Sequence, residues 1–247
     1  MTYCLGILVQ DGLVMIADTR TNAGVDNFSQ YRKLRRFGTD GERLIAIASA
    51  GSLSTTQAAL HRLRQGLLNP ETGEIETLDS VPDIFSAALA CGRAIRGARD
   101  TMDGLQQSAV NFDATLLIGG SIGGEKTRLF LVYPEGNIIE CGQDTPYMQI
   151  GELKFGKPML DRALTFETGL RDALKIGLLS FDATLRSNLA VYLPLDVLIA
   201  RTGETRPSLV HRIREDDPYF TDLSRRWSEA LSRAADDIPA PPYGDFD

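Results

Sequence analysis

Histidine and cysteine are scarce in this sequence of 247 residues, which has two histidines and three cysteines. His61 lies in a helix-like pattern and His211 in a strand-like one, which argues against a zinc site and a Ser-His-Asp triad. Cys4, Cys91 and Cys141 are an odd number at scattered positions, which argues against a disulfide framework or a CxxC metal site. We therefore expect no metal and no cofactor, and any catalysis must use a base other than histidine.

Long apolar runs and an excess of basic residues are also absent. The formal net charge is −7, and the basic run Arg32–Arg36 is too short to make a nucleic-acid-binding face. No apolar stretch approaches the ~20 residues that cross a bilayer, and the first residues lack the features of a signal peptide. These absences predict a soluble cytoplasmic protein without a nucleic-acid or membrane partner.

The composition that remains is that of an ordinary folded protein, with 43% hydrophobic and 24% charged residues. A chain of this length can bury a sizeable core within one domain. We predict a single domain over residues 1–237. Residues 238–247 contain three prolines and end in acidic residues, so we expect an extended tail there, with plain disorder as the alternative.

Apolar patterns and turn signals predict strands, two helices, strands, two helices, strands and a final helix. The first strands, Tyr3–Val9 and Leu13–Ala17, flank an Asp-Gly hairpin signal. Ser54 and Gln57 match a capping box for the first helix. Further strands are predicted at Tyr31–Phe37, Arg43–Ala50, Phe112–Gly119, Thr127–Tyr133, Asn137–Cys141, Tyr147–Ile150, Leu195–Arg201 and Pro207–Ile213, and further helices at about Val81–Met102, Lys157–Leu164, Leu170–Ser187 and Asp216–Ala235. The grouped helices favour an α+β fold, a four-layer αββα sandwich, over a doubly wound parallel sheet.

Thr2 is the first candidate for chemistry. A threonine at the chain end can use its own α-amine as general base, and that amine is free only after Met1 has been removed. A free α-amine has a pKa of about 7.7 to 8.0, whereas a peptide nitrogen cannot accept the hydroxyl proton. Threonine in second place is also a common start of an ordinary chain, so this position needs support from elsewhere.

Three further residues provide that support. Asp18 ends an apolar strand beside the strand that follows Thr2, and a carboxylate there needs a positive partner such as Lys33. A lysine near Thr2 lowers the pKa of its hydroxyl and its amine. Gly51 lies between a buried strand and a helix, where its N–H can stabilise an oxyanion. Taken singly, each residue also fits a purely structural role. Asp18 could belong to a polar turn, Lys33 to a solvated edge strand, and Gly51 to a common strand–helix junction.

Together, these residues and the stretch Gly12–Arg20 resemble the N-terminal pattern of proteasome β subunits, which are N-terminal-nucleophile hydrolases. The resemblance covers most of the chain. It implies that Thr2 is nucleophile and base, that Asp18 orients Lys33, that Lys33 lowers the pKa of Thr2, and that the Gly51 backbone binds the oxyanion.

The resemblance further implies that Asp182 and Ser187 support the amino terminus, although their spacing is longer than in ordinary β subunits. Arg186-Ser187-Asn188 and the later Pro194–Val197 are most similar to the bacterial Anbu (ancestral β-subunit) group. The chain departs from β subunits at Gly151–Lys154, where they usually have a small Gly/Ser-rich turn.

The resemblance therefore implies a threonine peptidase or amidohydrolase that assembles with itself into a ring or spiral and acts on peptide or amide substrates. A separate ATP-dependent partner would have to supply any unfolding activity, because no nucleotide-binding motif is present. Two alternatives remain open. One is a structural assembly subunit with little catalysis, and the other is an amidase for a non-protein amide.

Overall fold

The computed structural model of the chain describes residues 1–22, 28–103 and 111–244, and it contains helices and antiparallel sheets. The strands are β1 (Tyr3–Val9), β2 (Gly12–Asp18), β3 (Arg20–Asn22), β4 (Phe28–Gln30), β5 (Leu34–Phe37), β6 (Arg43–Gly51), β7 (Leu67–Leu68), β8 (Ile75–Glu76), β9 (Ala114–Ile122), β10 (Arg128–Val132), β11 (Ile138–Glu140), β12 (Tyr147–Gly151), β13 (Leu195–Arg201) and β14 (Leu209–Ile213). The helices are α1 (Leu53–Gln65), α2 (Ile84–Asp103), α3 (Lys157–Ala163), α4 (Leu170–Ser187) and α5 (Pro218–Asp236).

Two five-stranded sheets form the framework. The first has the order β12-β1-β2-β13-β14, and the second has the order β11-β10-β9-β6-β5. All neighbouring strands in both sheets are antiparallel. β1 and β2 form the predicted hairpin, in which Val9 lies opposite Gly12. The prediction of a fold that combines helices and sheets, and is not a doubly wound parallel sheet, is therefore confirmed.

The alternation of side chains along β6 shows how the sheets and helices pack. Ile45 and Ile47 belong to an apolar cluster with residues of α1 and α2, whereas Ala46 and Ala48 belong to a second cluster with β1, β2 and β9. Successive side chains of a strand point to opposite faces. One face of β6 therefore meets helices and the other meets the first sheet, as the sequence predicts for a strand buried on both sides.

The first sheet is covered in a comparable way. All seven residues of β1 and all seven of β2 are buried. α4 packs on these two strands on one side, and β6 and β9 of the second sheet contact them as well. At about 25 cal/mol per Å² of apolar surface removed from water, burial of these strands is a main source of stability. The same packing fixes the positions of Thr2 and Asp18 at one end of the sheet.

Three local predictions differ from the structure. The cap of α1 is Ser52, whose hydroxyl accepts a hydrogen bond from Thr55 N, so the predicted capping box beginning at Ser54 is wrong. α2 begins at Ile84 because the Asp83 carboxylate accepts from Ser86 N at 2.7 Å and stops the helix from extending back to Val81.

The predicted strand over 31–37 is shorter than expected. β5 begins only at Leu34, because Tyr31 N donates to Thr19 O at 2.6 Å and Lys33 turns its side chain towards Asp18. The two-stranded sheets β3-β4 and β7-β8 were not predicted, since each of their strands has only two or three residues.

The chain divides into two compact units, Met1–Glu215 and Asp216–Asp247. The second contains α5, whose start is capped by Asp217 through a 2.8 Å bond from Phe220 N. The prediction of one domain over 1–237, followed by a tail over 238–247, stays a prediction. Among the described residues, no helix has the length and apolar character needed to span a bilayer.

Candidate active site

Thr2 is anchored at one end of the first sheet, one residue before the interior strand β1. Its carbonyl oxygen accepts a hydrogen bond from Glu152 N at 2.7 Å, and the next residue, Tyr3, lies opposite Gly151 in β12. Gly151 has a φ of +85°, and a Cβ on it would lie 2.0 Å from the Thr2 carbonyl oxygen. Only glycine therefore allows the end of β12 to approach Thr2 this closely.

Asp18 is the last residue of β2 and is completely buried. Its Oδ1 accepts from Tyr3 N at 3.0 Å, and its Oδ2 accepts from Arg20 N at 3.1 Å. Burial raises the pKa of the Asp18 carboxyl, while the Lys33 ammonium and the two backbone N–H groups act in the opposite direction. The bond from Tyr3 N ties this carboxylate to the residue that follows Thr2.

Lys33 precedes β5 and is 6% exposed. Its Nζ donates to both carboxylate oxygens of Asp18, at 2.8 and 2.9 Å, and to the carbonyl oxygen of Arg20 at 2.5 Å. An ammonium group has three donors, so all three are committed to these acceptors. Lys33 is therefore a fixed positive charge rather than a side chain free to exchange partners.

Gly51 ends β6 and lies two residues before α1. It has a φ of +95°, and a Cβ on it would lie 2.3 Å from Asp113 O. Ser52 N donates to that same oxygen at 2.8 Å, so Gly51 and the opposite residue of β9, Ala114, form a non-hydrogen-bonded pair, in which the N–H groups point away from the partner strand. The N–H of Gly51 therefore points away from β9, towards the side of β5 and Lys33, close to the positive end of α1.

These residues meet at a pocket of about 310 Å³. Three of the four central candidates, Thr2, Lys33 and Gly51, line it, and Asp18 lies directly behind Lys33. The remaining lining residues, none of which the sequence predicts to be catalytic, are Met1, Thr21, Ser49, Ala50, Leu53, Thr56 and Gly151. Ser49 could have been recognised as a pocket residue from the sequence, because it is a polar residue within the apolar run of β6.

Asp182 and Ser187 lie on α4, outside the residues that line this pocket. Asp182 is buried and accepts from Arg186 Nε at 3.2 and 3.4 Å, whereas Ser187 ends the helix and is exposed. Within the described part of the chain, no hydrogen bond joins either side chain to Thr2. Their support of the amino terminus stays a prediction.

Asn188 follows α4 directly and contacts the start of the chain, and no sequence signal had indicated it as a site residue. Its Nδ2 donates to Glu152 Oε2 at 2.8 Å and lies 3.7 Å from Met1 Sδ. Glu152 Oε1 accepts from Lys154 N at 3.0 Å. The Glu152 carboxylate is thus held beside the Met1–Thr2 junction.

Solved structures of other proteins match this chain over nearly its whole length, whereas no family model and no curated protein matches it. Anbu (ancestral β-subunit) from Yersinia bercovieri is 43% identical, with a TM-score of 0.87 over 98% of this chain and 100% of that one. An Anbu (Gly-1) mutant from Hyphomicrobium sp. strain MC1 is 44% identical, with a TM-score of 0.89 over 98% and 99%. A helical assembly of the Anbu complex from Pseudomonas aeruginosa is 38% identical, with a TM-score of 0.87 over 98% of both chains.

The paired antiparallel sheets, the helices and the pocket at Thr2 define a proteasome β-subunit-like protein. Sequence identities of 38–44% to Anbu proteins over nearly the full chain assign it to one family within that class. The chain belongs to the Anbu (ancestral β-subunit) family.

Proposed function

We propose that this chain is an N-terminal threonine amidohydrolase, a proteasome-like peptidase, in which Thr2 is the nucleophile after Met1 has been removed. The observation that carries the proposal is the buried Lys33–Asp18 ion pair, with an Nζ–Oδ1 distance of 2.8 Å, whose lysine lines the same pocket as Thr2 and Gly51. A fixed positive charge beside a hydroxyl and an amine lowers the pKa of both and favours proton transfer between them.

In the first half of the reaction, the Thr2 Oγ attacks the carbonyl carbon of an amide. The hydroxyl proton passes to the α-amine, and the carbonyl π electrons move to oxygen. The Gly51 N–H and the nearby start of α1 stabilise that oxyanion. The tetrahedral intermediate then expels the amine product, which takes its proton from the α-ammonium group and leaves an ester on Thr2.

In the second half, water attacks the ester carbonyl carbon and gives its proton to the α-amine. Collapse of the second tetrahedral intermediate returns a proton to Oγ and releases the carboxylic acid. Because the three ammonium donors of Lys33 are committed to Asp18 and Arg20, Lys33 contributes a positive field and does not transfer the proton itself.

The finer features of the fold and its assembly belong to the same proposal. The packing of α1 and α2 against the second sheet and of α4 against the first supports a four-layer αββα sandwich. The helical assembly of the Pseudomonas aeruginosa relative supports self-association of this chain into a ring or spiral. We place the protein in the cytoplasm, with peptides or other amides as substrates and a separate ATP-dependent protein as a candidate partner.

The test uses protein from which Met1 has been removed, with its mass measured intact. We expect a β-lactone or an epoxyketone to add to Thr2 and a peptide panel to be cleaved, and we expect Thr2→Ala to lose ~10³-fold or more in turnover. Thr205→Ala is the matched control, because Thr205 lies in the turn between β13 and β14, at the end of the sheet opposite Thr2.

Equal turnover by the parent and by Thr2→Ala would remove the catalytic proposal. Assembly without acylation of Thr2 would instead establish the chain as a structural subunit. Acylation by small amides without cleavage of any peptide would establish an amidase for a non-protein substrate.

A further inference from the structure

A side-chain contact beside the pocket has no role in the mechanism described above. Asn188 Nδ2 donates to Glu152 Oε2 at 2.8 Å, and the same nitrogen lies 3.7 Å from Met1 Sδ. The backbone of Glu152 is fixed to the same place, because its N–H donates to the Thr2 carbonyl oxygen at 2.7 Å. The two side chains therefore adjoin the peptide bond that must be cut before Thr2 has a free amine.

Both side chains are held in these orientations by neighbouring backbone groups. Asn188 Oδ1 accepts from Ala190 N at 3.0 Å, which places the amide nitrogen rather than its oxygen towards Glu152. The Asn188 N–H in turn donates to Thr184 O at 2.9 Å. Glu152 Oε1 accepts from Lys154 N at 3.0 Å. Each carboxylate oxygen has one donor from these contacts and can accept a second.

Removal of the first methionine creates a positive group at this junction. The new α-ammonium has three donors, and a half-buried charge needs an acceptor of opposite sign. The neighbouring carboxylates are already occupied: Asp18 accepts from Lys33 and from two backbone N–H groups, and Asp182 accepts from Arg186. The carboxylate of Glu152 is half-buried, bears no ion pair among the described residues and lies on the chain segment bonded to Thr2.

We propose that Glu152, held in place by Asn188, is the positioning residue that receives the α-ammonium group of Thr2 once Met1 has left. The catalytic meaning of this contact rests on the proposed function, but the contact itself requires only the loss of Met1. A carboxylate beside an amine favours its protonated form. The unprotonated α-amine, which serves as the base, is therefore fully available only at higher pH. The positive charges of Lys33 and Lys154 act in the opposite direction and lower the pKa of the amine.

The experiment measures the pKa of the Thr2 amine directly, by NMR of Met1-free protein labelled with ¹³C-threonine. We expect Glu152→Gln to lower that pKa by about 1, since an opposite charge at close range is lost. Asn188→Asp adds a negative charge at the same place and is expected to raise it. Glu167→Gln is the matched control, because Glu167 is exposed and follows Phe166, whose carbonyl oxygen binds Gln10 N at the far end of β1.

A pKa of the Thr2 amine that falls in Glu152→Gln and rises in Asn188→Asp is a result that a merely structural defect does not produce. Equal values of the pKa in Glu152→Gln and Glu167→Gln would overturn the proposal. So would a fall of the pKa in Asp182→Asn with no change in Glu152→Gln, because Asp182 would then be the partner of the amine.

The same variants also separate this inference from the proposed function. If Thr2 is acylated by a β-lactone, the pH of half-maximal acylation should fall by about 1 in Glu152→Gln, in parallel with the NMR value. If no variant is acylated, the proposed function fails, but the NMR comparison still decides whether Glu152 binds the amine.

Discussion

Lys33 Nζ lies 2.8 Å from Asp18 Oδ1 and 2.9 Å from Asp18 Oδ2, and neither residue is more than 6% exposed. The pair joins the segment before β5 to the end of β2 and so links the two sheets behind Thr2. Buried ion pairs often contribute little net stability, yet loss of one partner leaves an uncompensated charge. This asymmetry allows the structural and the catalytic role of the pair to be measured separately.

The first prediction uses a double-mutant cycle on this pair. We expect Lys33→Met alone to destabilise the fold by about 3 to 5 kcal/mol, because it leaves the Asp18 carboxylate buried without a counter-charge. The double variant Asp18→Asn, Lys33→Met should recover most of that loss, since it removes both charges. Urea unfolding of the parent, the two single variants and the double variant gives the coupling free energy.

The rate of Thr2 acylation should not be restored in the double variant, although its stability is. The double variant lacks the positive charge beside Thr2, so its rate of β-lactone acylation should remain as low as that of Lys33→Met. Recovery of the rate together with stability would show that the pair only supports the fold.

The second prediction concerns the backbone at Gly51. Gly51→Ala forces a side chain into a φ of +95° and places its Cβ 2.3 Å from Asp113 O, so β6 and β9 must move apart next to Thr2. Gly41→Ala is a matched control, because Gly41 has a φ of +92° and nothing within 4 Å of an added Cβ.

We expect Gly41→Ala to cost about 1 kcal/mol through backbone strain alone, and Gly51→Ala to cost more. Only Gly51→Ala should also reduce acylation of Thr2, since it displaces the N–H that faces the pocket. Thermal unfolding and acylation rates of the two variants provide the comparison, and equal effects on both measurements would argue against an oxyanion role for Gly51.

The sequence could predict those parts of the fold and pocket that depend on local signals. Asp18 directly follows the apolar run Leu13–Ala17, so its need for a cation could be inferred, and the Asp-Gly hairpin could be predicted from its residue types. The contact of Asn188 with Glu152 could not be inferred, because it depends on where α4 ends relative to β12, 36 residues earlier. The bond from Arg186 to Asp182 is an i, i+4 pair on one helix and could have been foreseen.

A third prediction concerns Tyr3, the residue between Thr2 and the core. Its ring stacks on Phe181 with centroids 4.3 Å apart, and its hydroxyl contacts Ser180 Oγ at 2.7 Å and Gln149 Nε2 at 2.6 Å. Burial is the main reason why the pKa of Tyr3 is raised. We expect Tyr3→Phe to cost about 1 to 2 kcal/mol, because the ring stays packed while the two polar side chains lose a partner.

Ser180→Ala is the informative comparison for Tyr3→Phe. It removes the Tyr3 contact and also the bond from Ser180 to Gly156 O, yet it leaves Gln149 paired with the tyrosine hydroxyl. Unfolding free energies of the two single variants and the double variant should be non-additive, since the residues share one network. Strict additivity would show that the hydroxyl contacts contribute independently.

The last prediction follows from the cysteines, all of which are buried and free. Burial raises the pKa of Cys91 to about 12 and that of Cys141 to about 12, and it raises the pKa of Cys4 as well. An unfolded thiol has a pKa of about 8.5, so the folded state holds these protons more tightly than the unfolded state does. Stability from the buried neutral thiols is complete below pH ~8.5 and is lost as the pH rises towards the folded values.

Cys91→Ala isolates one of these thiols. Between pH 9 and 10 the free energy of unfolding of the parent should fall by up to about 1.4 kcal/mol per pH unit for each buried thiol. The variant loses packing at every pH, but its unfolding free energy should fall less steeply with pH, because one buried thiol no longer contributes to the slope. Cys141→Ala should show a similar change. Urea unfolding at pH 8, 9 and 10 gives these slopes, and equal slopes for the parent and Cys91→Ala would mean that this thiol ionises as readily in the folded protein as in the unfolded chain.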